Sequence, residues 1–118
     1  MVYGIVVRSS EITAQSALDF AKSVLKQGHK LHRVFFYGHG VLNASNQSSS
    51  LRTQWQSLQR EYQLDLVICV ASAHKHKLID PTLPSNPQQQ QLPKGFTLSG
   101  LGQLADAAAH CDRLITFR

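Results

Sequence analysis

Short apolar runs alternate along this chain with segments in which apolar residues recur every three or four positions, the signature of a parallel sheet joined by crossover helices. Residues 2–8 read as a first strand. A helix is expected over 13–27, where Ala14, Ala17, Leu18, Ala21, Val24 and Leu25 share a face and Gly28 supplies the stop. Residues 31–37, with Val34, Phe35 and Phe36 in one run, form the second strand, and a loop opens over 38–46. A second helix is expected over 51–62, with Leu51, Trp55, Leu58 and Tyr62 at steps of four, three and four.

Residues 64–71 are apolar nearly throughout, as in a central strand covered on both faces. Ser72 is the expected cap of a short helix reaching residue 78 or 79. Across 80–93, Pro81, Pro84, Pro87 and Pro93 bracket four consecutive glutamines, which predicts an exposed, mobile loop. The glycines of 95–102 then lead into a helix over 101–110, and 113–117 forms a last strand. The whole reads as one α/β domain over residues 1–118, a three-layer α/β/α arrangement around a mostly parallel sheet.

Composition narrows the setting. The chain has 118 residues, 42% of them hydrophobic and 16% charged, which suits an ordinary globular protein and neither a disordered nor a fibrous one. No apolar run approaches the roughly 20 residues that a membrane-spanning helix needs. The first residues lack the basic and long apolar regions of a signal peptide, so a cytoplasmic location is expected. Two cysteines, Cys69 and Cys111, are too few for a disulfide framework and match no zinc spacing; both are expected to be reduced. The formal net charge of +5 suits an acidic partner, yet the basic residues are scattered, with concentrations only at 22–33 and 74–77. Direct nucleic-acid binding is therefore not the expected role.

In open parallel sheets, ligands and catalytic groups gather beyond the carboxyl ends of the strands. The turn Ser9-Ser10-Glu11, the loop 38–46, the segment 69–77 and the stretch 95–102 are candidates for that edge. Gly100-Leu101-Gly102 matches neither a Walker loop nor a dinucleotide fingerprint, and no nucleophile elbow is present. Cys69 admits two readings. As a residue type it is a small hydrophobe in a strand. By position it ends a central strand ahead of a helix start, where backbone amides and the cations of His74-Lys75-His76-Lys77 favour a thiolate. A zinc site from Cys69, His74 and His76 is disfavoured, because the histidines are two residues apart and no fourth ligand is evident. Cys111 is read as structural.

Four blocks, in order, resemble the DsrE/TusD family of small sulfur-relay proteins, and most closely its TusD branch. They are Phe35-Phe36-Tyr37 with Gly40-Val41 and Asn43-Ala44; Trp55 with Leu58; Ile68-Cys69-Val70-Ala71 with Ala73; and the stretch Gly95-Phe96-Thr97-Leu98-Ser99-Gly100-Leu101-Gly102 with Leu104 and Cys111-Asp112-Arg113. The resemblance implies a DsrE/DsrF-like fold and a sulfurtransferase whose one covalent residue is Cys69. An upstream persulfide donor would load it, and a TusE-like or DsrC-like acceptor would unload it, most simply for 2-thiolation of the tRNA wobble uridine. No metal or organic cofactor is implied, nor direct contact with tRNA. TusB-like and TusC-like partners in a heterohexamer are implied, with apolar residues of 38–46 and the 95–102 block as contact candidates. The alternatives are a non-catalytic structural subunit of such an assembly and a DsrE-like carrier in sulfur oxidation. This chain departs from the family pattern in a short turn, Arg8-Ser9-Ser10-Glu11, and in His74-Lys75-His76-Lys77, where an arginine pair and a glycine are more familiar.

Overall fold

Five strands among the described residues form one wholly parallel sheet in the order β4-β3-β2-β1-β5. The computed structural model describes residues 1–45, 49–80, 82–83, 90, 92–100 and 102–118, the side chain of Gln103 excepted. The strands are β1 (Val2–Val7), β2 (Lys30–Phe36), β3 (Leu66–Cys69), β4 (Phe96–Ser99) and β5 (Arg113–Phe117). The helices are α1 (Ile12–Lys26), α2 (Ser49–Tyr62), α3 (Val70–Lys75) and α4 (Gly102–His110), with a 3₁₀ helix over Gly38–Ala44. No helix among the described residues is long and apolar enough to cross a membrane.

Strand alternation divides the interior into two layers. Ile5, Val7, Val34, Phe36, Leu66 and Ile68 face α1 and α2, where they join Ala14, Ala17, Leu18, Ala21, Trp55 and Leu58 in the larger core. Phe35, Val67 and Cys69 point the other way and pack with Leu104 of α4 and with Tyr37. Phe36 meets Trp55 edge to face, with ring centroids 5.3 Å apart. The connections carry α1 and α2 to one face as the chain steps outward from β1 to β3. The step from β4 back across the sheet to β5 carries α4 to the opposite face.

The first two helices follow their apolar periodicity. Ala14, Ala17, Leu18, Ala21 and Val24 are buried on α1, which ends before Gly28 in the left-handed region at φ 83°. Trp55 and Leu58 are buried on α2, whereas Tyr62 is exposed.

Several expectations are corrected. Residues 96–99 form a strand rather than a lead-in to a helix, because Leu66 to Cys69 pair with Phe96 to Ser99 one for one. The expected loop 38–46 is mostly a 3₁₀ helix. Val41 and Ala44 lie in the core, so these two apolar residues pack inward and offer no subunit contact. The third strand is shorter than expected, and the helix after it starts at Val70 with Cys69, not Ser72, at its cap position. That helix stops at Lys75 because Lys77 takes a left-handed conformation at φ 59°. The expected loop 80–93 falls largely outside the described residues. Within it Gln90 is buried, accepting from the Asp80 N–H at 2.6 Å and donating to the carbonyls of Asp80 and Leu83.

Candidate functional site

The carboxyl ends of β1, β2 and β3 converge on an open cleft of about 420 Å³. Arg8 follows β1, Tyr37 and Gly38 follow β2, and Cys69 ends β3. Ala71, Ser72, Lys75 and His76 supply the α3 side, and His39 projects from the 3₁₀ helix.

Three local devices build this edge. At Gly40 a Cβ would overlap the Val7 carbonyl oxygen, so only glycine lets the 3₁₀ helix press against the end of β1. Asn43 is fully buried and donates to the carbonyls of Ser9 and Gly40, each at 2.8 Å. Its carbonyl oxygen accepts from the Trp55 indole N–H at 3.2 Å, so one side chain joins the β1 exit, the 3₁₀ helix and α2. The Ser72 hydroxyl accepts the Gly38 N–H at 2.9 Å and ties α3 to the 3₁₀ helix, which is why it is not a helix cap.

Cys69 lines this cleft while only 1% of its surface is exposed. It sits beside Phe35 and Val67, paired in register with Ser99 of β4. The helix it precedes begins at the next residue, so the backbone N–H groups of the first turn of α3 lie next to it. The rim is cationic. Arg8 stacks over the Tyr37 ring at 5.4 Å and Lys75 stands on α3. His39 and His76 form a ring pair with centroids 4.7 Å apart.

Of the four residues 74–77, Lys75 and His76 line the cleft; His74 and Lys77 are exposed and do not. Among Ser9, Ser10 and Glu11 none lines it, although the adjacent Arg8 does. The 95–102 stretch contributes Ser99 as a neighbour in the sheet rather than as a cleft wall. Arg8, Tyr37 and His39 were not read as cleft residues from the sequence, and Ser72 was read only as a helix cap. The signal available for the first two was their place directly after a strand of a parallel sheet. His39 and His76 are 37 positions apart, and only the docking of α3 on the 3₁₀ helix pairs them.

Cys111 lies at the other end of the sheet, before β5. Burial raises its thiol pKa, with Asp112 and Asp106 acting in the same direction and Arg33 opposing. Cys111 sits close to the backbone of Gly4, where an added Cβ would lie 2.8 Å from its Sγ. A further cleft of about 340 Å³ between α1 and α2, lined by Lys22, Lys26, Gln54, Glu61 and Tyr62 among others, contains no nucleophilic or metal-binding cluster.

Comparison with known proteins agrees with the architecture. The DsrE/DsrF-like family model matches residues 1–117. The chain is 44% identical over 115 residues to a sulfurtransferase TusD of Klebsiella pneumoniae, covering 88% of each chain. It is 42% identical over 132 aligned positions to a sulfurtransferase TusD of Salmonella arizonae, covering 99% of this chain and all of the relative. The crystal structure of the ychN protein from E. coli superposes with a TM-score of 0.69 over 98% of this chain and 97% of that one, at 15% identity. The likeness to ychN shows the fold.

Proposed function

This chain belongs to the DsrE/DsrF-like family and is a sulfurtransferase, and on that premise we propose that Cys69 carries the transferred sulfur as a persulfide. The observation that carries the reading is the place of Cys69: the end of β3, on the wall of a cation-rimmed cleft, next to the first-turn amides of α3. The Cys69 thiolate attacks the terminal sulfur of a donor persulfide. A new S–S bond forms at Cys69, the donor's S–S bond breaks, and the donor leaves as a thiolate. In the second half an acceptor thiolate attacks the terminal sulfur on Cys69, which leaves as thiolate again. No external oxidant or reductant enters, because the sulfane sulfur moves at constant oxidation level.

Each species on Cys69, thiolate or persulfide anion, is negative. The α3 amides, Lys75 and Arg8 stabilise that charge. Burial of Cys69 against Phe35 and Val67 keeps stray thiols from intercepting the sulfur. The donor is an upstream persulfide protein and the acceptor a TusE-like or DsrC-like thiol, with 2-thiolation of tRNA wobble uridine as the end use. TusB-like and TusC-like subunits complete the assembly in the cytoplasm, and the domain spans residues 1–118. The near-complete burial of Cys69 favours one other reading, a structural subunit in which this residue only packs.

A cysteine desulfurase with cysteine supplies the donor sulfur, and intact-mass spectrometry reads the product. One added sulfur on the unchanged chain and on Cys111→Ser, and none on Cys69→Ser, is the expected result. Sulfur on Cys111 alone, or none with a competent donor, refutes the persulfide role. Addition of a TusE-like or a DsrC-like acceptor then distinguishes tRNA thiolation from sulfur oxidation by which one discharges Cys69.

A further inference from the structure

Away from Cys69, at the opposite end of the sheet, three metal-binding side chains meet. His32 comes from β2, and Asp106 and His110 come from one face of α4, four residues apart. One donor atom from each lies within 4.8 Å of the other two. The His32 Nε2 is 3.4 Å from Asp106 Oδ2, and the His110 Nδ1 is 3.1 Å from Asp106 Oδ1. A tetrahedral ion with bonds of about 2.1 Å separates its ligands by about 3.4 Å. To accept one ion the donor atoms, now within 4.8 Å of one another, close to that spacing, and His110 Nδ1 gives up its 2.8 Å contact with the Asp106 carbonyl oxygen. The two imidazole rings are tilted by 33° with centroids 5.8 Å apart.

We propose that His32, Asp106 and His110 form a binding site for a divalent transition-metal ion of the zinc class, which clasps the C-terminal end of α4 to β2. Two imidazoles and one carboxylate are a donor set suited to zinc, cobalt or nickel and poor for calcium or magnesium. Arg33 is the built-in support. Its Nη1 donates to Asp106 Oδ2 at 2.8 Å and its Nε to Asp65 Oδ2 at 2.7 Å, which orients the carboxylate while leaving Oδ1 for the ion. Asp65 and Asp106 together outweigh the single charge of Arg33, so the cluster remains anionic toward a cation. The side chain of His110 is 62% exposed, so the remaining coordination positions open to solvent and take water. The clasp acts on the helix whose Leu104 covers the Phe35, Val67 and Cys69 layer.

The test uses the full chain, free of any affinity tag, stripped with chelator, and carrying Cys69→Ser and Cys111→Ser so that no thiol binds metal. Zinc(II) is titrated by calorimetry and cobalt(II) by visible absorption, and thermal unfolding is followed with and without zinc. The expectation is one ion per chain, a raised unfolding midpoint, and shifts of the His32 and His110 imidazole resonances. His110→Ala and His32→Gln each weaken binding by at least about tenfold, whereas His39→Ala with His76→Ala leaves it unchanged. No binding, or binding that survives both His32→Gln and His110→Ala, overturns the proposal. A loss caused by the His39 and His76 pair instead overturns it equally.

Discussion

The two cysteines stand at opposite ends of one sheet and teach what a position in a parallel sheet does to a thiol. Cys69 ends β3, where strands deliver their last residues into a cleft and a helix begins. Cys111 precedes β5, where the chain enters the sheet, and it packs against the backbone of Gly4. By exposure alone the ranking would be reversed, since Cys69 is the buried one and Cys111 is half-buried. The surroundings explain the difference in proposed role. Arg8 and Lys75 line the cleft at Cys69, whereas burial and the carboxylates of Asp112 and Asp106 disfavour an anion at Cys111.

The sharpest break in that comparison is chemical. Cys69→Ser should lower sulfur loading by about a hundredfold or more, while Cys111→Ser leaves loading intact; rates of persulfide appearance by mass spectrometry decide it. Equal loss in both variants would erase the distinction between the two ends.

Next comes the scaffold of the cleft. Asn43→Ala leaves the buried Trp55 N–H without its acceptor. It should cost about 1–3 kcal/mol in urea unfolding. Alkylation of Cys69 by iodoacetamide should rise with it and that of Cys111 should not, because the lost bonds lie only at the Cys69 end. An intermediate effect is expected from the rim. Lys75→Gln or Arg8→Gln should slow loading from an anionic persulfide donor by about three- to tenfold and reduce the salt dependence of the rate. Unaltered salt dependence would remove the electrostatic part of the comparison.

The smallest effect serves as a control that belongs to neither thiol. Asp80 accepts from the Thr82 hydroxyl at 2.7 Å and from its backbone N–H at 2.9 Å, and these bonds lower its pKa below the usual carboxylate value. The folded state therefore holds the ionised form more strongly than the unfolded state does. That stability is present above the unfolded value of about 3.9 and is lost as pH falls through the lower, folded value. Asp80→Asn should flatten the acid limb of stability measured below about pH 4 and leave sulfur loading at neutral pH unchanged.

How much of this was legible beforehand depends on the range of the interactions concerned. Helices α1 and α2 were readable because Ala14, Ala17, Leu18 and Trp55 recur with the helical period, a property of neighbouring residues. Strand β3 and the candidate role of Cys69 were readable from the apolar run and from the ordered family blocks. Strand β4 was not, since four residues between two glycines carry little periodicity and become a strand only by pairing with Leu66 to Cys69. Ser72 looked like a cap because its sequence neighbours allow one. It instead accepts from Gly38, 34 positions away.

What the sequence alone determined, then, is the α/β class, the helix faces, the family and the cysteine at a strand end. Each is written in local period or in ordered motifs. The strand order, the pairing of His39 with His76, the gathering of Arg8, Tyr37 and Lys75 around Cys69, and the meeting of His32 with His110 were decided only in the folded molecule. The reason is physical: these groups are separated by tens of residues, and their distances are set by crossovers and by packing on two faces of the sheet, which no single segment encodes.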